Sequence, residues 1–146
     1  MRAVISLVSG TLLAFVAASI IGTQTVLASV QSMGLNVTFA MRWSSSVSDL
    51  AGLSTTLLPL MAIVLIPVWL ILSWCDRRAI LSITPLWYAV AGGICIAALH
   101  PVMALVFGVD VFAAARSWPG LLGQAFAGAL GGFWVARLWR SKPDAT

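Results

Sequence analysis

The single histidine of this chain, His100, lies inside an uncharged run, residues 79–109, next to Pro101. An ionisable side chain in so apolar a segment is a candidate functional group. As a haem ligand it would need an axial partner, such as Met103 or a histidine from a second copy of the chain. As a proton relay it would need an acidic neighbour, and none lies within the long apolar runs. The interpretation that we favour is a neutral imidazole, hydrogen-bonded to a neighbouring helix or to a carbonyl group freed by Pro101.

Two isolated arginines, Arg42 and Arg116, are the other candidates for binding chemistry. Together they would form a basic entrance for an anionic solute. An arginine at the end of an apolar run is more commonly an anchor, with its stem in the apolar layer and its guanidinium among lipid headgroups. We favour the anchor and keep both residues as candidate substrate-binding groups.

Other reactive groups are few. Cys75 and Cys95 fall at different depths of different apolar runs and are expected to be free thiols. The sequence has no zinc-ligand spacing, nucleophile elbow, phosphate-binding loop or pair of carboxylates. It therefore predicts no catalytic residue and no metal site, and it argues against an enzyme. No cofactor is expected unless His100 holds haem.

The amino-acid composition predicts the class of protein and the helices on which these residues lie. Of 146 residues, 61% are hydrophobic and 8% are charged, whereas a soluble domain has about 25% charged residues. A helix of about 20 apolar residues crosses roughly 30 Å of hydrocarbon. The prediction is an all-α polytopic membrane protein, a single four-helix bundle over residues 1–146. Its four transmembrane helices are expected at about 3–28, 50–74, 84–106 and 119–138.

Basic residues sort to alternate ends of these spans. One set of ends has only Arg42 and Arg116, and the other has Arg2, Arg77, Arg78, Arg137, Arg140 and Lys142. By the positive-inside rule both termini are cytoplasmic, in a membrane of the bacterial inner type. The net charge of +4 then reflects contact with membrane lipid rather than nucleic acid. Removal of the first span after Ala28, as a signal peptide, is the open alternative, although its apolar stretch is longer than such peptides have.

Small residues recur at helical spacing on three of the spans. Such ridges let helix backbones approach closely in lipid. The predicted packing positions are Gly10, Ala14, Ala18, Gly22, Gly93, Ala97, Gly120, Gly123, Gly128, Gly131 and Gly132. The second span has no such ridge, so we expect it to face lipid.

The two outer loops resemble each other. Residues 34–42 align without gaps with residues 108–116, and both segments begin with glycine and end with arginine. Asn36 and Asp110 are expected N-caps, each opening a short outer interfacial helix. Residues 46–49, Ser-Val-Ser-Asp, read as a capping box that begins the second span. One interpretation is a duplicated, tandem helical hairpin; the other is two outer turns that need the same residues independently.

These features lead to three hypotheses. The first is a non-enzymatic integral membrane protein that acts by helix packing, as a homo-oligomer or an accessory subunit of a membrane complex. The alternative is a small transporter or channel for an anionic solute, with its pathway between the hairpins. The third is a haem-binding membrane redox subunit that depends on His100.

Overall fold

The computed structural model describes residues 2–78, 82–108 and 113–140, which form helices and no strand. The helices are α1 (Arg2–Ser32), α2 (Phe39–Leu53), α3 (Leu57–Arg77), α4 (Pro85–Phe107) and α5 (Trp118–Arg140), with a 3-10 turn at Ala113–Arg116 before α5. In the described part of the chain, α1, α3, α4 and α5 are long and apolar enough to cross a membrane. This confirms the predicted helical class and the four candidate spans of a multi-pass membrane protein.

The second span begins later than predicted. Residues 46–49 lie inside α2, and α3 begins at Leu57 after a turn at residues 54–56. The predicted capping box is therefore wrong. The hydroxyls of Ser54 and Thr55 bond back to the carbonyl oxygens of Ala51 and Gly52, and such local bonds compete with helix continuation.

Helix α2 also starts differently from the prediction. Its N-cap is Thr38 rather than Asn36, and Thr38 Oγ1 accepts a hydrogen bond of 3.3 Å from the backbone N–H of Met41. Once capped there, the helix continues for 15 residues instead of forming the short interfacial helix that we expected.

Helix α1 is longer than predicted as well. It reaches Ser32, and its 31 residues extend about 46 Å, beyond the hydrocarbon thickness of a bilayer.

The four long helices pack in a ring in the order α1, α5, α4, α3. Helix α5 packs along both α1 and α4, and α3 completes the ring against α4 and α1. Helix α2 lies against α1, and the 3-10 turn contacts α1 and α5. This order keeps α1–α3 and α4–α5 as neighbouring antiparallel pairs, as two tandem hairpins would arrange them.

The core is centred on Trp69 of α3, which is fully buried. Its indole lies over backbone from three other helices, at Gly10, Gly92 and Gly131. A Cβ atom on any of these glycines would lie 3.4–3.6 Å from the ring. The indole Nε1 donates a 3.4 Å hydrogen bond to the carbonyl oxygen of Tyr88. Glycine at these three positions lets the backbones of α1, α4 and α5 come close to the ring and to one another.

Trp69 shares its face of α3 with Met61 and Leu65, spaced four residues apart and also fully buried. This face of α3 therefore packs inward, although α3 and α4 are the least buried of the four candidate spans. That α3 faces lipid stays a prediction for its other faces. Bulky residues replace a small-residue ridge here, because α3 fills the groove that the small residues of the other helices create.

Most of the predicted packing positions lie between helices of the same chain. A Cβ on Gly10 would contact Val135 on α5, and one on Gly132 would contact the backbone of Tyr88 on α4. Gly92, which the ridge pattern did not single out, faces the backbone of Gly128. The buried positions are Gly10, Ala14, Ala18, Gly22, Gly93, Gly120, Gly128, Gly131 and Gly132, and the half-buried ones are Ala97 and Gly123.

The two aligned loop segments share local structure. Gly34 and Gly108 both have positive φ, 87° and 70°, a conformation that favours glycine. Helix α2 and the 3-10 turn both begin five positions after these glycines, at Phe39 and Ala113. The two elements differ in length, and Asp110, the second expected cap, lies outside the described residues.

Candidate functional site

A cavity of about 350 Å³ lies in the half of the ring nearest α2. Helices α1 to α5 and the 3-10 turn all contribute to its wall. Its polar side chains are Ser19, Thr23, Ser45, Asp49, His100 and Gln124. The rest of the described wall is apolar, and includes the small residues Ala18 and Gly22. These two predicted packing positions add little bulk, so they also leave the space that the cavity occupies.

Gln124 and His100 form one side of the cavity. Gln124 is buried, with 3% of its surface exposed. Its Nε2 donates a 2.9 Å hydrogen bond to the backbone oxygen of Ala18, which fixes the carboxamide between α5 and α1. The same carboxamide interacts with the imidazole of His100. His100 therefore lies beside a polar side chain of a neighbouring helix, and its role stays a prediction.

Ser19 lies in the cavity wall with 1% of its surface exposed. Its Oγ has no hydrogen-bond partner among the described residues, although buried hydroxyls are nearly always paired. The other hydroxyls of α1 each have an acceptor within reach, as Thr11 has in the carbonyl oxygen of Leu7. The Ser19 hydroxyl therefore lies beside the cavity with a hydrogen-bonding capacity that the described residues do not use.

A carboxylate reaches the cavity from α2. Thr23 Oγ1 lies 2.6 Å from Asp49 Oδ2 and 2.9 Å from the backbone oxygen of Ser19. The first distance is typical of a hydroxyl that donates to an ionised carboxylate. Because α2 packs on α1, Asp49 lies in the same cavity as His100, although it is outside every apolar run.

Sequence reasoning missed Asp49, because it was assigned to a helix cap. The signal that could have found it is a polar stripe on α2, with Arg42, Ser45, Ser46 and Asp49 three to four residues apart. Residues at this spacing share one face of a helix.

Arg42 uses its charge to hold α2 against α1. Its Nη1 and Nη2 each donate a 2.7 Å hydrogen bond, to Gln24 Oε1 and Gln31 Oε1. Gln24 Nε2 in turn donates to Ser46 Oγ at 3.1 Å. The planar guanidinium matches two separate acceptors, so Arg42 links α2 to two side chains of α1.

Neither predicted substrate-binding arginine lies in the described wall of the cavity. Arg116 ends the 3-10 turn, where it is exposed. Met103, the haem partner considered for His100, also lies outside that wall. Cys75 and Cys95 are free thiols, as predicted, and the described residues hold no group of three metal-ligating side chains.

A second cavity, of about 210 Å³, lies at the opposite end of the ring. Its wall includes Ser73, Asp76 and Tyr88, together with the guanidinium of Arg77, which lies 5.7 Å from the ring centre of Trp139. The buried core around Trp69 separates this cavity from the first. Polar space thus lies on both sides of a closely packed apolar centre.

The larger cavity brings together a carboxylate, an imidazole, a carboxamide and an unpartnered hydroxyl in an apolar surround. Such a wall, largely apolar with a few convergent polar groups, is the usual form of a small-molecule site. The chain matches no protein-family model, no curated protein and no solved structure.

Proposed function

We propose that this protein is a membrane carrier that binds a small polar solute in the cavity beside α2. The observation that carries the proposal is the buried Ser19 hydroxyl, which lacks a protein partner among the described residues and lines a cavity with five other polar side chains. A protein that acts only by helix packing needs no such group, because an unpaired buried hydroxyl is destabilising.

The cavity has the size of a small-molecule site. At about 30 Å³ per water molecule, its volume of about 350 Å³ matches roughly ten waters. A solute that fits would be compact. It would meet polar groups from α1, α2, α4 and α5 at once, so that binding would depend on the relative positions of these helices.

The proposed orientation places both termini in the cytoplasm of a bacterial-type inner membrane, as the distribution of basic residues favours. The cavity beside α2 then faces outward, and the second cavity faces the cytoplasm. The core around Trp69 lies between them. Passage of a solute requires this core to rearrange, which is the behaviour expected of a carrier rather than of an open pore.

The assembly hypothesis loses its main support. It rested on small-residue ridges, and Gly10, Gly128 and Gly131 pack within one chain. The anionic solute of the alternative hypothesis is also disfavoured, because Arg42 is engaged by two glutamines and Asp49 lines the cavity.

Thiol labelling tests whether the cavity is open to water. Ser19→Cys is introduced into a variant that lacks the native thiols (Cys75→Ser, Cys95→Ala), and a membrane-impermeant methanethiosulfonate is added to intact cells. We expect Ser19→Cys to react. The matched control is Ile20→Cys, on the adjacent, outward-facing position of α1, where lipid should exclude the reagent. A Ser19→Cys variant that reacts no faster than Ile20→Cys would rule out a solute-binding cavity.

A further inference from the structure

We infer that the solute is a compact cation, an organic ammonium ion with a short apolar tail, and that Asp49 is its counter-charge. The inference rests on the proposed function and specifies the chemistry of the same cavity. Charge, hydrogen-bonding capacity and shape each point to this class of solute.

The charge balance of the cavity is negative. Apart from His100, Asp49 is the one titratable side chain in the described wall. The nearest basic residue on its own helix, Arg42, donates to Gln24 and Gln31 instead. A carboxylate held against a membrane-spanning helix is costly unless it is paired. A cation in the cavity would supply that pair, and an anion would be repelled.

The hydrogen-bonding groups of the cavity also suit a solute that donates hydrogen bonds. Thr23 occupies one acceptor site on Asp49, and an ionised carboxylate has about four. The Ser19 hydroxyl, buried and unpartnered among the described residues, offers a further acceptor. A primary ammonium group carries three donors and no acceptor. Its three donors match the acceptors that Asp49 and Ser19 contribute to the same cavity.

The apolar part of the wall defines the rest of the solute. Val26, Leu27, Leu53 and Leu57 line the same cavity. They offer contacts to a short hydrocarbon chain within a cavity of about 350 Å³. A short alkylammonium ion combines the required charge with the required tail.

Three small three-carbon solutes of similar size and different charge separate the effect of charge from that of shape. The purified full-length chain is heated in mild detergent with n-propylammonium, propionamide or propionate, at an ionic strength matched with sodium chloride. We expect n-propylammonium to raise the Tm and the other two to have no effect. Equal stabilisation by propionamide or propionate, or no stabilisation by n-propylammonium, would overturn the inference.

Two matched variants localise the effect. Asp49→Asn keeps an acceptor for Thr23 and should weaken n-propylammonium binding about fivefold, since the variant removes the negative charge of a partly exposed ion pair. Asp76→Asn makes the same change in charge at the opposite end of the ring and should leave the affinity unaltered. Unchanged affinity in Asp49→Asn contradicts the inference.

A second measurement covers the case in which Asp49→Asn is too unstable to purify. In the Ser19→Cys variant without native thiols, a cationic methanethiosulfonate should react about tenfold faster than an anionic one of similar size. The preference should disappear when Asp49→Asn is added. Labelling without any charge preference would leave the proposed cavity intact and reject a cationic solute, whereas absence of labelling would reject the cavity itself.

Discussion

Gly92 and Gly128 lie with their backbones in contact. A Cβ atom on Gly92 would lie 3.1 Å from the carbonyl carbon of Gly128 and closer still to its oxygen. The atoms in the way belong to the backbone, so no side-chain rotation can relieve the overlap. This contact sets the separation of α4 and α5.

Gly92→Ala should therefore destabilise the protein by about 1–3 kcal/mol, the usual cost of overpacking. The free energy of unfolding, measured by denaturation in detergent micelles, checks the effect. Gly52→Ala is the control, because no neighbouring atom lies within 4 Å of its Cβ position. Alanine at that helical position should be neutral or stabilise by up to roughly 1 kcal/mol. Equal stability of the two variants would contradict the proposed contact.

Thr23→Val should loosen α2. Valine preserves the shape of threonine but removes the 2.6 Å hydrogen bond to Asp49, at a cost of about 1–2 kcal/mol. Amide hydrogen exchange over residues 39–53 should become faster. In the control Thr25→Val, the lost hydroxyl bonds to Ile21 within its own helix, so exchange in α2 should not change. Faster exchange in both variants would show that the effect is not specific to Asp49.

Arg42→Lys should weaken the attachment of α2 to α1 although it conserves charge. A lysine ammonium lacks the planar geometry with which Arg42 reaches Gln24 and Gln31. We expect faster hydrogen exchange in the first turns of α2. The cation preference of labelling at Ser19→Cys should persist, because Arg42 does not line the cavity. A reversal of that preference would instead assign Arg42 to the binding site.

Trp69→Ala should be the most disruptive of these changes. Removing a fully buried indole from a membrane-spanning core should cost about 3–5 kcal/mol. Trp118→Ala serves as the control, because 79% of that side chain is exposed and its loss leaves no internal cavity. Thermal unfolding in detergent compares the two. A similar Tm for both variants would mean that Trp69 does not organise the core.

The spans could be predicted from sequence because long apolar runs have few alternatives in lipid. The start of the second span was predicted too early, because the preceding segment is helical although it is not apolar. Residues 39–53 form one continuous helix that carries serines, Arg42 and Asp49, whereas we expected a short helix within residues 34–42 and a second span from about residue 50. Amphipathic helices that lie beside a membrane domain are easily missed in this way.

The candidate site was harder to predict, because its residues come from separate helices. His100 was singled out for its rarity, but its neighbours depend on the ring order of the helices. Gln124 lies 106 positions from Ala18, and no periodicity within one span reveals that pairing. The small-residue ridges indicated close approach without indicating which helix approaches which, so Trp69 could not be recognised as their common partner.

The pairing of α1 with α5 has a consequence for biosynthesis. Helix α1 is made before α5 and packs mainly on it, since Gly10 and Ala18 contact residues of α5. At a synthesis rate of about 5–20 residues per second, roughly 5–20 s separate the two ends of the Ala18–Gln124 contact. During that interval the glycine face of the nascent α1 lies against lipid or the insertion machinery. Synthesis of α5, rather than of any earlier helix, is then the event that lets the ring of helices close.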